Sequence, residues 1–323
     1  MKLTLIYEKE HHKLQDTSYS WVYKGQLDAL IDRFEEVNFV HDSCSADDID
    51  ADVIIVYDIV SSHHITIENM AKHSAIKMSY LCDPHQKEMK GIYHQYKKPV
   101  HKLGKTKRIA RAKERGIQYF IMPMRDAYFK DLGPIIGEDA EKMLLFFPPA
   151  SKASLFTGRE IPITERENKV ALATGATWDG DLGSYEFRKW VYTQPYVHFV
   201  PHSLADKKTP SAQKWGAFIA KYSSGFALND YHPIPKYFEM PLAGCLTFLQ
   251  HFSELDELGF KDYENCVYVN NKYMAEPRVK DFLEYMGEYE KIAEAGRKLI
   301  EENYTAKHFA DFIYNKCIEI QGN

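Results

Sequence analysis

The stretch Asn229-Asp230-Tyr231-His232-Pro233-Ile234-Pro235-Lys236-Tyr237-Phe238-Glu239-Met240-Pro241-Leu242-Ala243-Gly244-Cys245-Leu246-Thr247-Phe248-Leu249 decides the fold. It reads as a loop at a strand end, a short helix and a buried strand. Two prolines stiffen the loop, and Pro235 suits the first turn of a helix, where a missing N–H costs nothing. The spacing predicts a helix opening near Lys236 that Pro241 kinks or shortens. Gly244 is placed to end it in a left-handed turn. The run Cys245-Leu246-Thr247-Phe248-Leu249 is short and apolar, like a strand buried in a parallel sheet. A loop feeding a helix N-terminus at the carboxyl edge of such a sheet presents free N–H groups and the positive end of the helix dipole. An anionic group fits there. Lys236 adds a full positive charge, and Glu239, one turn on, is placed to accept hydrogen bonds from hydroxyl groups. The same pattern also suits a surface crossover with a solvated Lys and Glu.

Apolar strands and amphipathic helices alternate on the amino-terminal side of this stretch. Leu3 to Tyr7 reads as a first buried strand and Trp21 to Phe34 as a helix. Further strands follow at Asn38-Phe39-Val40, Val53 to Tyr57, Ile76 to Leu81, Ile117 to Pro123 and Leu144 to Phe147. A polar, Gly- and Pro-bearing segment at 157–168 has linker composition. A second series starts with a strand at Lys169 to Gly175, a helix from Tyr185, and a strand and turn at Val197 to Ser203. This is the sequence form of two Rossmann-like parallel sheets, and 323 residues accommodate two domains comfortably. Ligands of parallel sheets sit beyond the strands' carboxyl ends, which makes Asp58, His63, His64, Asp83 and His85 candidates by position.

Five cysteines, with no Cys-x-x-Cys pair, argue against a disulfide framework or a zinc ribbon. Neither a signal peptide nor a membrane span is apparent, so a cytoplasmic location is expected. The net charge is −5, yet Lys87 to Gly116 holds eleven Lys and Arg against Glu88 and Glu114, a local +9. There is no Gly-x-Ser-x-Gly elbow, no phosphate loop ending in Gly-Lys-Ser/Thr and no Gly-x-Gly-x-x-Gly, so hydrolase, kinase and dehydrogenase chemistries lack support. Asp179-Gly180-Asp181 has a metal-binding form but is equally ordinary turn chemistry, and the His11-His12 and His63-His64 pairs lack zinc-type spacing; no metal is expected.

The segment Lys236 to Cys245, with Glu254-Leu255, Tyr268-Val269, Gly296-Arg297 and Tyr304-Thr305-Ala306-Lys307-His308-Phe309, resembles the carboxyl half of GT-B glycosyltransferases of the CgeB-like, glycosyltransferase group 1 type. The resemblance covers residues 165–320 and, more loosely, the amino half. It implies an α/β fold of two Rossmann-like domains facing one another across a cleft: an acceptor-side domain at 1–156, a donor domain at 166–303, and a helix at 304–323 packing back on the first. It also implies sugar transfer from a nucleotide-sugar co-substrate, a UDP-sugar first among them, without cofactor or metal. The donor-binding positions carried over are Gly175, Tyr185, Arg188, His202, Ser203, His232, Lys236, Tyr237, Phe238 and Glu239. Lys236 stands where the family favours Arg, so a point charge replaces a bidentate fork. Tyr231 occupies the earlier position of the paired glutamates of related retaining enzymes, so Glu239 alone carries over as the ribose or sugar contact. Glu186 replaces the proline of a Tyr-Pro-x-Arg-like segment.

An inverting course would need a base from the amino half, with Asp16, His63 and Asp83 as candidates. The resemblance puts the acceptor on that half, where the basic segment, with Lys105, Lys107, Arg108 and Arg111, suggests a polyanion. DNA carrying hydroxymethylated pyrimidines, as modified by phage-type enzymes, fits that charge. A cell-surface or spore-coat glycan is the alternative acceptor, a non-catalytic nucleic-acid-binding α/β protein is the rival class, and a solvated helix face accounts for the same charge without any partner.

Overall fold

The computed structural model describes residues 1–9, 22–58, 65–81, 89–93, 98–175, 184–201 and 210–322. The chain divides into two compact units: Met1–Gln15, Leu27–Pro148 and Phe309–Asn323 form the first, Asp16–Gln26 and Pro149–His308 the second.

The strands of the larger sheet of unit 1 are β1 (Lys2–Ile6), β2 (Glu36–Val40), β3 (Val53–Asp58), β4 (Ile76–Leu81), β5 (Tyr119–Met122) and β6 (Leu144–Phe146). They form one sheet in the order β6-β5-β4-β3-β1-β2, with every neighbouring pair parallel. The inner strands are buried on both faces, which explains their near-continuous apolar reading. Phe309, on the helix Ala306–Gly322, meets Tyr80 of β4 edge-on at 5.9 Å and Phe147 at 5.7 Å. Arg33 and Asp311 pair at 2.8 Å. Within the basic segment, Met89–Tyr93 and Lys98–Lys102 pair as an antiparallel hairpin, an element that the βα alternation does not anticipate.

The described strands of unit 2 are β7 (Asn168–Gly175), β8 (Val197–Pro201), β9 (Tyr222–Ala227), β10 (Leu246–Leu249) and β11 (Val267–Tyr268). Their order is β8-β7-β9-β10-β11, again all parallel. Strand order reverses between β7 and β9, and the crevice outside the carboxyl ends at such a switch point is where open α/β sheets hold ligands. The loop 228–235 leaves β9 at this point and enters the helix Lys236–Leu242.

That helix forms where the sequence places it. Pro235 already has helical φ −47° and ψ −34°, Pro241 lies in the last turn, and Gly244 turns the chain at φ +73°. The helix can lie close on β9 because β9 is Tyr-Ser-Ser-Gly-Phe-Ala: a Cβ on Gly225 would stand 2.6 Å from the Met240 sulfur. Residues 157–168, despite their linker composition, belong to unit 2 and are tied into it. The buried Arg166 donates through Nη1 to the carbonyls of Ala220 (3.0 Å), Tyr222 (3.2 Å) and Ala243 (2.9 Å), and through Nε to that of Ile161 (3.1 Å).

Gly244 fits against this hub, since a Cβ there would come within 2.3 Å of the Arg159 carbonyl oxygen and 2.5 Å of Arg166 Nη2. The change Gly244→Ala adds a left-handed penalty of about 1 kcal/mol to that backbone overlap. A loss of at least about 2 kcal/mol in denaturant-midpoint stability is expected; unchanged unfolding would show that the hub yields freely.

Candidate functional site

The site grows from three chain segments that converge at the switch point of unit 2. First, β7 ends at Gly175 with φ +145°, a conformation that L side chains rarely adopt. A Cβ there would stand 2.8 Å from the Tyr192 hydroxyl and 3.7 Å from Lys236 Nζ, so the lysine ammonium lies beside the bare glycine. Tyr192 donates to the Thr174 carbonyl at 3.2 Å and stacks on Phe199 with centroids 4.2 Å apart.

Second, the helix Ser184–Tyr192 carries Arg188, which is buried. Its Nε donates to the Leu228 carbonyl at 2.7 Å, and Nη2 reaches the same oxygen. The helix that follows β7 thereby clamps the loop that follows β9. Third, the helix Lys236–Leu242 brings Lys236 and Glu239 to the site. Lys236 is half-buried by surface area, with protein packed around its ammonium. Loss of water, reinforced by the Arg188 charge, pulls its pKa from 10.5 down to about 8, with Glu239 opposing the shift.

Glu239 is buried, at 3% exposure. Its Oε2 accepts a hydrogen bond from Trp215 Nε1 at 3.1 Å and its Oε1 one from Ser151 Oγ at 3.3 Å. Burial pushes its pKa up, while the Trp215 bond, the Lys236 charge and the Ser151 bond hold it down. His232 is buried in the loop, where Asn229 Nδ2 donates to its Nε2 at 3.2 Å and the ring meets Tyr231 edge-on. Gly175, Arg188, Lys236, Glu239 and the His232 loop therefore share one end of one sheet.

Two expected donor contacts need correction. Tyr237 and Phe238 are both fully buried and offer no surface to a ligand. The Tyr237 hydroxyl accepts from the Asn229 N–H at 3.0 Å and lies 2.9 and 2.8 Å from the carbonyls of Asn229 and Gln250, so it shapes the loop from beneath. Phe238 packs edge-on against Phe260 and Tyr304. Tyr185 belongs to the helix Ser184–Tyr192, with its side chain outside what is described. His202, Ser203, Asp16, His63, Asp83 and the Asp179 to Asp181 turn lie outside the described residues.

The basic positions of unit 1 also divide. On the helix Lys105–Glu114, Arg108 is buried and Arg111 donates to the Ile65 carbonyl at 3.1 Å, as Arg115 does at 2.6 Å. Lys105 pairs with Asp131 at 2.9 Å, while Lys107 and Lys113 are exposed. Arg108 is thus turned inward as part of the scaffold, while half-buried Arg111 shares the Ile65 carbonyl with Arg115. Sequence reasoning missed Ser151, Tyr192 and Trp215, because separations of 88 and 24 residues between Glu239 and its two partners carry no local signal.

A family model described as glycosyl transferase-like matches residues 154–315, just over half of the chain, and takes in every residue of this site except Ser151. The chain belongs to the glycosyl transferase-like family. No curated protein matches it. Among solved structures, this glycosyltransferase is similar to T4 phage BGT in complex with UDP and Mn2+, at TM-score 0.58 and 13% identity over 98% of this chain and 99% of that one. It is similar to an alpha-glucosyltransferase in complex with UDP and a 13-mer DNA containing an HMU base, at TM-score 0.57 and 10% identity over 98% and 99%. It is similar also to Anabaena HepE in complex with UDP and glucose, at TM-score 0.55 and 9% identity over 98% and 99%. At these identities the likeness shows the fold, GT-B, as the sequence led one to expect. Among the described residues of this glycosyltransferase, no group of three or more His, Cys, Asp and Glu is placed to hold a metal ion, and no helix is long and apolar enough to cross a membrane.

The crowding of Lys236 by Arg188 is measurable on the protein alone. Competitive labelling of lysines against pH should give Lys236 a midpoint near 8, well below that of ordinary lysines. In Arg188→Gln, which removes the repelling charge, the midpoint should move upward. A midpoint that stays put would mean that desolvation alone sets it.

Proposed function

We propose that this glycosyltransferase takes its sugar from a nucleotide-sugar, a UDP-sugar first among the candidates, and that it belongs to the CgeB-like, group 1 type. The observation that carries the donor reading is the pair of cations at the switch point: Lys236 beside the bare Cα of Gly175, with Arg188 close enough to depress its pKa. Two like charges held together outside the carboxyl end of a parallel sheet favour an anion of more than one charge, and a diphosphate meets that requirement. During transfer the leaving diphosphate gains negative charge as the sugar becomes oxocarbenium-like, so fixed cations act most strongly when the bond breaks. This charge compensation would need no metal. Glu239, already turned by Trp215 and Ser151, has lone pairs left to accept ribose or sugar hydroxyls. The UDP and UDP-glucose in solved structures of the same fold support a uridine nucleotide. In an inverting course the base would come from Asp16, His63 or Asp83, which follow β1, β3 and β4 in sequence.

A screen of UDP-, GDP- and TDP-sugars by thermal shift tests the donor, because a ligand that binds the folded state raises the melting temperature by mass action. The pH dependence is specific to Lys236. An anion binds best to the charged lysine, so affinity should be full below pH 8 and fall as pH rises through about 8. Lys236→Arg should remove that fall, since a guanidinium keeps its proton, and Lys236→Ala should weaken binding by roughly 1–3 kcal/mol. A pH-independent dissociation constant in the parent protein would place the diphosphate elsewhere.

For the acceptor, we propose a polyanion, with hydroxymethyl-pyrimidine DNA as the leading case. Its support is the exposed Lys107 and Lys113 with half-buried Lys105 on one helix of unit 1, next in sequence to a hairpin bearing Lys90, Lys98 and Lys102. The DNA held by one solved structure of the same fold adds to it. Gel shift on duplex DNA should show affinity falling steeply with salt, and Ala at Lys105, Lys107 and Lys113 should flatten that slope. Absence of binding at low salt, with transfer to a neutral saccharide intact in the triple variant, would make the segment a solvated surface.

A further inference from the structure

Both oxygens of Glu239 are held, and the two groups that hold them come from segments that lock against each other. Trp215 lies on the helix Ala212–Ile219, 5% exposed, and directs its indole N–H at Oε2 from 3.1 Å. Ser151 precedes the short helical turn Ala153–Leu155 and donates to Oε1. The next residue after the tryptophan, Gly216, meets that turn so closely that a Cβ would stand 2.3 Å from the Leu155 carbonyl oxygen. The indole and the hydroxyl are therefore carried on one rigid support. Ser151 is fixed again from the far side, where its carbonyl accepts the Ala306 N–H at 3.0 Å.

The chemistry of the two donors differs. A serine hydroxyl can turn and accept, whereas an indole N–H can only donate. It therefore requires an accepting lone pair on Oε2 and favours the ionised carboxylate, against the burial that drives Glu239 toward its neutral acid. A phenylalanine would keep an aromatic ring beside Phe218, whose ring stacks on the indole at 5.7 Å, but it is smaller and would supply no such bond.

We infer that Trp215 is a positioning residue of the donor site: its indole N–H holds the Glu239 carboxyl in one orientation, so that the remaining Oε lone pairs meet the donor's hydroxyl groups. This rests on the proposed donor reading of Glu239. Trp215 touches no substrate in this scheme and acts wholly through the carboxylate. Its loss should consequently weaken donor binding without slowing the bound complex much, and should move the acid limb of the binding profile upward, because a Glu239 without its charge-assisted bond protonates at higher pH.

The test is a double-mutant cycle on the full chain with UDP-glucose as probe, read by calorimetry and steady-state kinetics across pH. Trp215→Phe should raise the donor KM about tenfold, the scale of one hydrogen bond to a charged group, with kcat nearly unchanged and the acid limb displaced upward. In the Glu239→Gln background, which itself loses donor affinity, Trp215→Phe should add nothing further. Trp215→His, which retains a ring N–H, should recover part of the affinity. A Trp215→Phe protein that folds, leaves the acid limb in place and adds its full cost to Glu239→Gln would reduce the indole to packing. Should Glu239→Gln bind UDP-glucose like the parent, the donor reading falls and the inference with it. Where Trp215→Phe does not fold, the parent protein labelled at its four indole nitrogens answers instead. One N–H resonance should follow the acid limb and shift on adding UDP-glucose, and Glu239→Gln should abolish its titration; four pH-insensitive resonances would overturn the inference.

Discussion

Two cations within electrostatic reach of each other, one of them stripped of water, is the condition that the packing of unit 2 maintains. Arg188 reaches the site from the helix after β7 and spends two of its donors on the Leu228 carbonyl; Lys236 reaches it from the helix after β9 and gives up much of its basicity there. Like charges in a desolvated place repel, and the Glu239 charge offsets only part of that effect on Lys236. The arrangement persists because it is over-determined by the packing beneath it. Gly175 removes the side chain that would occupy the space, Tyr192 braces the same turn, and Tyr237 ties the loop to two strand ends.

The support runs deeper through Arg166. A buried guanidinium without a carboxylate is expensive unless carbonyl oxygens surround it, and here Ala220, Tyr222, Ala243 and Ile161 do so. Those carbonyls lie at the start of β9 and at the end of the Lys236 helix, so one side chain fixes both the strand that leads into the site and the helix that leaves it. The segment 159–166 is polar because it wraps this hub rather than because it links anything. Its sequence looks like a linker for the same reason that caps and turns do: backbone oxygens need donors, and the donors are polar residues.

The Lys236 helix, its Pro235 start and its Gly244 stop were legible because each rests on local backbone chemistry that operates the same way in any fold. The parallel sheets were legible from β3, β4 and β10, whose burial on both faces leaves an apolar run. β9 was not, since Tyr-Ser-Ser-Gly-Phe-Ala answers to neighbours and not to water: Gly225 makes room for Met240, and Ser223 donates to the Ile163 carbonyl at 2.7 Å. In the site, Gly175, Arg188, Lys236, His232 and Glu239 lie at one end of one sheet, but the buried faces of Tyr237 and Phe238 could not be told from exposed ones in a seven-residue helix that is interior on nearly every side. Trp215 and Ser151 had no signal at all, because partnership across 24 and 88 residues is a property of the folded chain.

The basic segment shows how far charge counting can be carried. Eleven cations within thirty residues suggest a polyanion surface, yet a helix has an inner face, and Arg108, Arg111 and Arg115 lie on or near it at the i, i+3 and i+4 steps that place side chains together. Arginine suits that position: its long stem packs and its fork satisfies the Ile65 carbonyl, which two of these residues share. The cations that the helix leaves exposed are Lys107 and Lys113, each a hydrated point charge on a flexible stem. Such charges attract phosphates at long range and confer little geometry, so any discrimination among polyanionic acceptors has to arise from groups other than this helix.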